Sequence, residues 1–194
     1  MIERETIEPG LSHAAWGYFF LNFDCNLGMV SILPRFIGFL LLLSSINQLS
    51  GHQRDLALLR PLCILLSVWN GADWLLSWFG GDVDGNILFL DLLIAAAGLY
   101  FHFQFLTDMA ALAETYQDEG MNLDRRLRNC RTVYVVMCTA VALFSGLTAE
   151  LDGSWRQYVM IIGAVVAMIA ALSVMLGLFA LRRYVKGKGL ENGL

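Results

Sequence analysis

Residues 36–43 read Phe36-Ile37-Gly38-Phe39-Leu40-Leu41-Leu42-Leu43, a run with no polar side chain in it. A strand of a membrane barrel alternates apolar and polar positions over about ten residues. This run does not alternate, so it reads as helix. Pro34 stands just ahead of it, where a missing N–H costs a helix nothing, and Gly51 punctuates the far end. Working outward in both directions, five further stretches have the same character. Crossing about 30 Å of hydrocarbon takes roughly 20 mainly apolar residues, and the stretches 11–31, 33–50, 57–80, 87–108, 131–149 and 156–181 come close to that. Gly80-Gly81, Asp84-Gly85 and Gly153 separate the later ones. The expectation is an all-α integral membrane bundle of six transmembrane helices, with residues 1–194 forming one transmembrane domain.

Composition agrees. Of 194 residues, 57% are hydrophobic and 15% charged, against about 45–50% and 25% in a soluble domain. Mean hydropathy is +0.60. These figures argue against a soluble enzyme, a disordered chain and a disulfide scaffold. The net charge of −4 would repel a nucleic-acid backbone, so no nucleic-acid partner is expected.

The first pair of stretches leaves two readings open. The apolar part of 11–31 stops at Phe23, and Asp24, Cys25 and Asn26 follow at once. Either 11–31 and 33–50 are two full spans, which their matched lengths favour, or 11–50 is a re-entrant hairpin. Non-helical backbone at membrane depth needs protein or water around it. Met1–Gly10 sets Glu3, Glu5 and Glu8 against a single Arg4, a poor start for a cleaved signal peptide, so it reads as a retained anchor.

Orientation follows from the basic residues. With six spans and both termini cytoplasmic, all 13 Lys and Arg except Arg35 and Arg156 fall on the inner side, as cytoplasmic loops require. The loop 81–86 has Asp82 and Asp84 and no basic residue, and Trp74, Trp78 and Trp155 would lie at the outer interface. The expected location is the plasma membrane, multi-pass.

The stretch 108–130 is expected to form a cytoplasmic helical hairpin. Met109, Leu112, Ala113 and Tyr116 keep helical spacing, Gly120 suits a stop, and Asn122 a cap for the next helix. Glu114, Asp118 and Glu119 would face Arg125, Arg126 and Arg128 as a solvated stalk or as a docking surface for a cytoplasmic partner. Cys25, Cys63, Cys130 and Cys138 do not share one compartment and form no CxxC, which argues against a disulfide framework or zinc ribbon.

Ionisable groups at mid-membrane cost about 2.5–3.5 kcal/mol each, so each asks for a reason. Asp24, Asp73 and Asp91 interrupt the spans, all in the outer leaflet of this topology. At 1.5 Å per residue, Asp73 lies about 10 Å below Gly80 and Asp91 about 6 Å below Ile87. Asn70, Ser77, Asn22 and Asn26 add amides and hydroxyls at that level, and Trp69 stands one turn from Asp73. The pattern suggests an outward-facing polar pocket for a small cationic or polar solute. Asp73 and Asp91 would be its charge partners, Asn70, Trp69 and Trp74 its shape, and Asp24 a third acid. The competing reading makes these residues wet interfacial groups or interhelical hydrogen-bond partners.

His13, His52 and His102 lie towards the inner side, and only His13 and His102 meet the placement that two-imidazole haem ligation needs. Interfacial histidines are commoner, so no cofactor is expected. No GxSxG, HExxH, GxxxxGK[ST] or GxGxxG occurs, which argues against an enzyme, although Asp73 and Asp91 could form the acid–base pair of an intramembrane one. Gly163, Ala167 and Ala171 recur every four residues, suiting close packing within the bundle or a homo-oligomer seam. That seam together with 108–130 would serve the rival reading, a non-catalytic interaction subunit of a membrane complex.

One segment resembles a known group. Tyr18-Phe19-Phe20, Asn22-Phe23-Asp24-Cys25-Asn26-Leu27-Gly28 and Ile32-Leu33-Pro34-Arg35-Phe36-Ile37-Gly38-Phe39 resemble the N-terminal hairpin of small multi-pass membrane proteins of Firmicute-type bacteria. The resemblance implies a membrane hairpin with Asn22, Asp24 and Asn26 around its turn. It carries no activity. A capping role for Asp24 competes with a ligand role.

Overall fold

The computed structural model describes residues 2–23, 26–27, 30–31, 34–79, 88–117, 120–147 and 153–191. Among the described residues the architecture is all-α with six α-helices: α1 (Ile2–Asn22), α2 (Arg35–Leu49), α3 (Arg60–Ser77), α4 (Leu88–Tyr116), α5 (Leu123–Leu147) and α6 (Gly153–Glu191). A 3-10 segment, Arg54–Leu59, leads into α3, and a two-strand antiparallel ladder joins α1 to α2. Its strands are β1 (Asn26–Leu27) and β2 (Val30–Ser31), paired Asn26 to Ser31 and Leu27 to Val30. Among the described residues, three helices are long and apolar enough to cross a membrane: Arg54–Ser77 with its 3-10 start, Phe89–Tyr116 and Ile161–Gly187.

The helices follow one another around the bundle. α2 packs on α3 and on α1, α1 on α6, α6 on α5, and α5 on α4, while α3 and α4 touch only sparingly. Side chains of α1 also reach the opposite wall, where the Tyr18 ring meets Phe105, His102 and Tyr134. Large apolar residues remain exposed all round the outside, among them Leu75, Phe79, Phe89, Leu92, Ile161, Ile162 and Ile169. A water-soluble protein rarely shows so continuous an apolar surface.

The first helix differs from the expectation at both ends. It begins at Ile2 and stops at Asn22, where 11–31 had suggested helix through to Ser31. The Asn22 amide donates to the Tyr18 carbonyl at 2.9 Å, and backbone pairing between β1 and β2 then takes over from helical bonding. Among the described elements α1 and α2 share the most extensive contact, and two glycines permit their close approach. A Cβ on Gly38 would lie 2.9 Å from the Gly17 carbonyl oxygen and 2.7 Å from Leu21 Cγ. A Cβ on Gly17 would meet Leu42 at 2.9 Å. Farther along the seam, Gln48 Nε2 lies 3.0 Å from His13 Nδ1 and donates to Ser44 Oγ at 3.1 Å.

The α4–α5 turn is built by Gln117. Its Oε1 accepts the N–H groups of Leu123 (2.8 Å) and Asp124 (3.2 Å), two of the donors that a helix start leaves without partners. Asn122, the expected cap, turns its amide back to the Gly120 carbonyl instead. Gly120 takes the left-handed conformation (φ 101°) that favours glycine. Arg128 pairs with Glu114 across the hairpin, while Asp118 and Glu119 lie outside the described residues. The inner face of this hairpin is core rather than a solvated stalk, because Asp108, Met109, Leu112, Ala113, Leu123 and Leu127 are all buried.

At the end carrying both termini, Glu8 of α1 accepts from Arg182 (3.0 Å) and lies 3.4 Å from Lys186, both on α6. The Arg182 hydrogen bond, with help from Lys186, holds the Glu8 carboxyl below its ordinary value of 4.5. A depressed carboxylate stabilises the fold above its unfolded pKa and loses that contribution as acid protonates it. Glu8→Gln is therefore expected to lower the unfolding temperature near neutral pH. The gap from the parent should close as pH falls below about 4.5, as thermal scans at stepped pH would read.

Candidate functional site at the open end of the bundle

Each helix turns one stripe of residues inward, and on four helices that stripe changes character at one level. On α4, Asp91, Ile94, Gly98, Phe101, Phe105, Asp108 and Leu112 recur at three- and four-residue steps and share a face. Phe101, Phe105, Asp108 and Leu112 are buried, whereas Asp91, Ile94 and Gly98 keep accessible surface. On α3 the sealed Cys63 and Leu66, which follow Leu59 of the 3-10 segment, give way to half-buried Asn70, Asp73 and Ser77. Tyr134 gives way to Cys138 on α5, and Ala171 to Ala167 and Gly163 on α6. The half of the bundle near the termini is thus packed shut, and the other half is not. Gly98 marks the change most sharply: a Cβ added there would find nothing within 4 Å.

At the boundary sits a polar cluster. His102 Nδ1 lies 3.3 Å from the Tyr18 hydroxyl, and the Tyr134 hydroxyl donates to Asn22 Oδ1 at 3.2 Å. The Asn22 amide returns to the Tyr18 carbonyl, linking α1, α4 and α5. Rings of Tyr18, Phe39, Phe101 and Tyr134 surround the imidazole at centroid separations of 5.3–6.3 Å. Those four rings are almost completely buried, yet His102 retains accessible surface. Helical side chains lean towards the helix N-terminus. For α4 that is the open end, and His102 stands one turn from Gly98.

The sequence-derived site residues are distributed as follows. Asp73 and Asp91 lie on the inward stripes of α3 and α4, at the open end, each half-buried. The Asn70 amide donates to Leu66 O at 2.7 Å, which leaves its carbonyl oxygen for other partners. Trp74 packs at 5.5 Å on both Phe36 and Trp78, so an aromatic wall continues onto α2, and Trp69 is half-buried one turn below Asp73. Asp24 lies outside the described residues, as does Cys25. Gly163 and Ala167 fall on the α6 stripe that continues through the buried Ala171, Val174 and Leu178.

No family model matches the chain, and neither the curated proteins nor the solved structures contain a match to it. The site therefore has to be read from its own chemistry. Among the described residues, no group of three or more His, Cys, Asp or Glu is placed to hold a metal ion. His13 and His102, the pair considered for haem, bond to different neighbours: His13 to Ser44 and Gln48, His102 to Tyr18. The arrangement gathers hydroxyl, amide and imidazole groups at the boundary and places carboxylates farther along the α3 and α4 stripes, with aromatic faces alongside. That set suits a cation or a polar amine better than an anion.

Sequence reading missed the cluster at the boundary. Tyr18 and His102 stand 84 positions apart, and no local pattern joins them. A signal did exist, since His102 and Tyr134 sit near the midpoints of Leu88–Tyr116 and Leu123–Leu147. Polar side chains at the centre of apolar helices usually face the protein interior.

Proposed function

We propose that this chain is an integral protein of the cell membrane, with both termini in the cytoplasm, whose outer half holds a hydrated vestibule for a small cationic or polar solute. The basic residues set the sidedness, and the exposed apolar girdle meets lipid. Helix lengths favour the re-entrant form of the first hairpin. From Glu8, in its cationic belt, to Asn22 is about 21 Å of helix, and the 15 residues of α2 give about 22 Å. Both fall short of the roughly 30 Å hydrocarbon layer. Tyr18 also packs against the middles of α4 and α5. α3 to α6 then cross fully, while α1 and α2 enter from the cytoplasm and turn at mid-depth. The β1–β2 backbone would sit where only protein or water can cover it.

One observation carries this reading: the inward stripes of α3, α4, α5 and α6 all pass from sealed to accessible at one level, with Asp73 and Asp91 on the accessible side. A water-filled space over a closed cytoplasmic half is an outward-open binding geometry. Carboxylates on its walls concentrate cations there. The test is thermal unfolding of the purified full-length chain in detergent against a panel of small solutes. Small organic cations such as tetramethylammonium should raise the unfolding temperature at millimolar concentration, and anions of equal size should not. Equal stabilisation by both charges would contradict the reading.

A further inference from the structure

A second site lies at the sealed end, away from the vestibule. Phe179, Arg182, Arg183 and Lys186 share one face of α6 and line a cavity of about 390 Å³. Among the described residues these three cations are met by one acid, Glu8, which engages Arg182 and Lys186. None of the ion pairs among the described residues involves Arg183. Among the described residues, the cavity carries an excess of positive charge. Beside the cations, Phe179 meets the edge of the half-exposed Trp16 at 6.2 Å, and Leu176, one turn away, is also exposed.

We propose that this cavity binds a phosphate group, supplied in the cell by an anionic phospholipid of the cytoplasmic leaflet. Guanidinium forks match phosphate oxygens in pairs, and Arg182 and Arg183 both line the cavity. The size suits a phosphate and its polar substituent rather than a whole lipid. Acyl chains would run along the exposed apolar surface of Leu176 and Trp16. Orientation by basic residues alone needs no cavity and no bracing acid. Here Glu8 pins two of the three cations, so their positions are set before a ligand arrives. The Arg182 hydrogen bond also keeps Glu8 ionised in this role. The inference is independent of the vestibule, and Asp91→Asn should leave it unchanged.

The experiment is thermal unfolding of the full-length chain in micelles, titrated with phosphatidylglycerol, with phosphatidylcholine of the same chain length, or with inorganic phosphate. Phosphatidylglycerol should half-saturate at a several-fold lower concentration than phosphatidylcholine. Arg183→Gln should weaken that response about fivefold, the usual effect of one basic charge at an anionic surface. A response to inorganic phosphate equal to that for phosphatidylglycerol, and lost in Arg183→Gln, would uphold the phosphate site but overturn its lipid source. Identical responses of the parent and Arg183→Gln to all three additives would overturn the site itself.

Discussion

Asp91→Asn should weaken binding of a small organic cation about five- to thirtyfold while the unfolding temperature without ligand stays near that of the parent. Asp73→Asn should do the same. Removing one partner of a fully buried ion pair costs about 3–5 kcal/mol. Both residues are only half-buried, so about 1–2 kcal/mol is the appropriate scale. Asparagine keeps size and hydrogen bonding and deletes only the charge. If the acids share one ligand, the double variant should lose less than the sum of the two single losses, because neighbouring sites are not additive. Titration in the same thermal assay reads all three numbers. Variants that bind and unfold as the parent does would remove Asp73 and Asp91 from the site.

A second large effect belongs to the α1–α2 seam. Gly38→Leu should destabilise the protein by about 3 kcal/mol or more, at or beyond the upper end of ordinary overpacking. Even its Cβ would press on the Gly17 carbonyl at 2.9 Å, and backbone cannot move aside as a side-chain tip can. The matched control is Gly98→Ala, which lies on an inward stripe but meets open space. It should leave stability unchanged or raise it by about 0.5–1 kcal/mol through helix propensity. Thermal unfolding of the two variants side by side checks both claims. A similar penalty at Gly98 would mean that the space above His102 is filled.

These expectations rest on features of unequal legibility. The helices were legible in runs such as Phe36 to Leu43, because helical crossing demands long uninterrupted apolar stretches. The end of α1 was not. Leu27 and Val30 are as apolar as the helix before them, so hydropathy could not tell a two-strand ladder from another helical turn. Asp73 and Asp91 stood out as acids in apolar company, yet their faces depend on helical phase. That phase became readable only from buried partners such as Leu66 and Phe101. Gln117, rather than Asn122, starts α5, because a side chain six residues upstream of the first helical residue could fold across the turn. The Tyr18–His102 contact joins residues far apart in sequence and belongs wholly to tertiary packing.

Water access along α4 tests the central claim most directly. All four cysteines of the chain would be replaced, and single cysteines placed at Ile94, Gly98, Leu93 and Ala96. A membrane-impermeant maleimide would then be applied to intact cells. Ile94→Cys and Gly98→Cys lie on the inward stripe and should label from outside, with a bound organic cation slowing the reaction. Leu93→Cys and Ala96→Cys lie on the opposite face, in lipid, and should stay unlabelled. Labelling that ignores this three- and four-residue rhythm, or that fails on the inward positions, would contradict a hydrated outer vestibule.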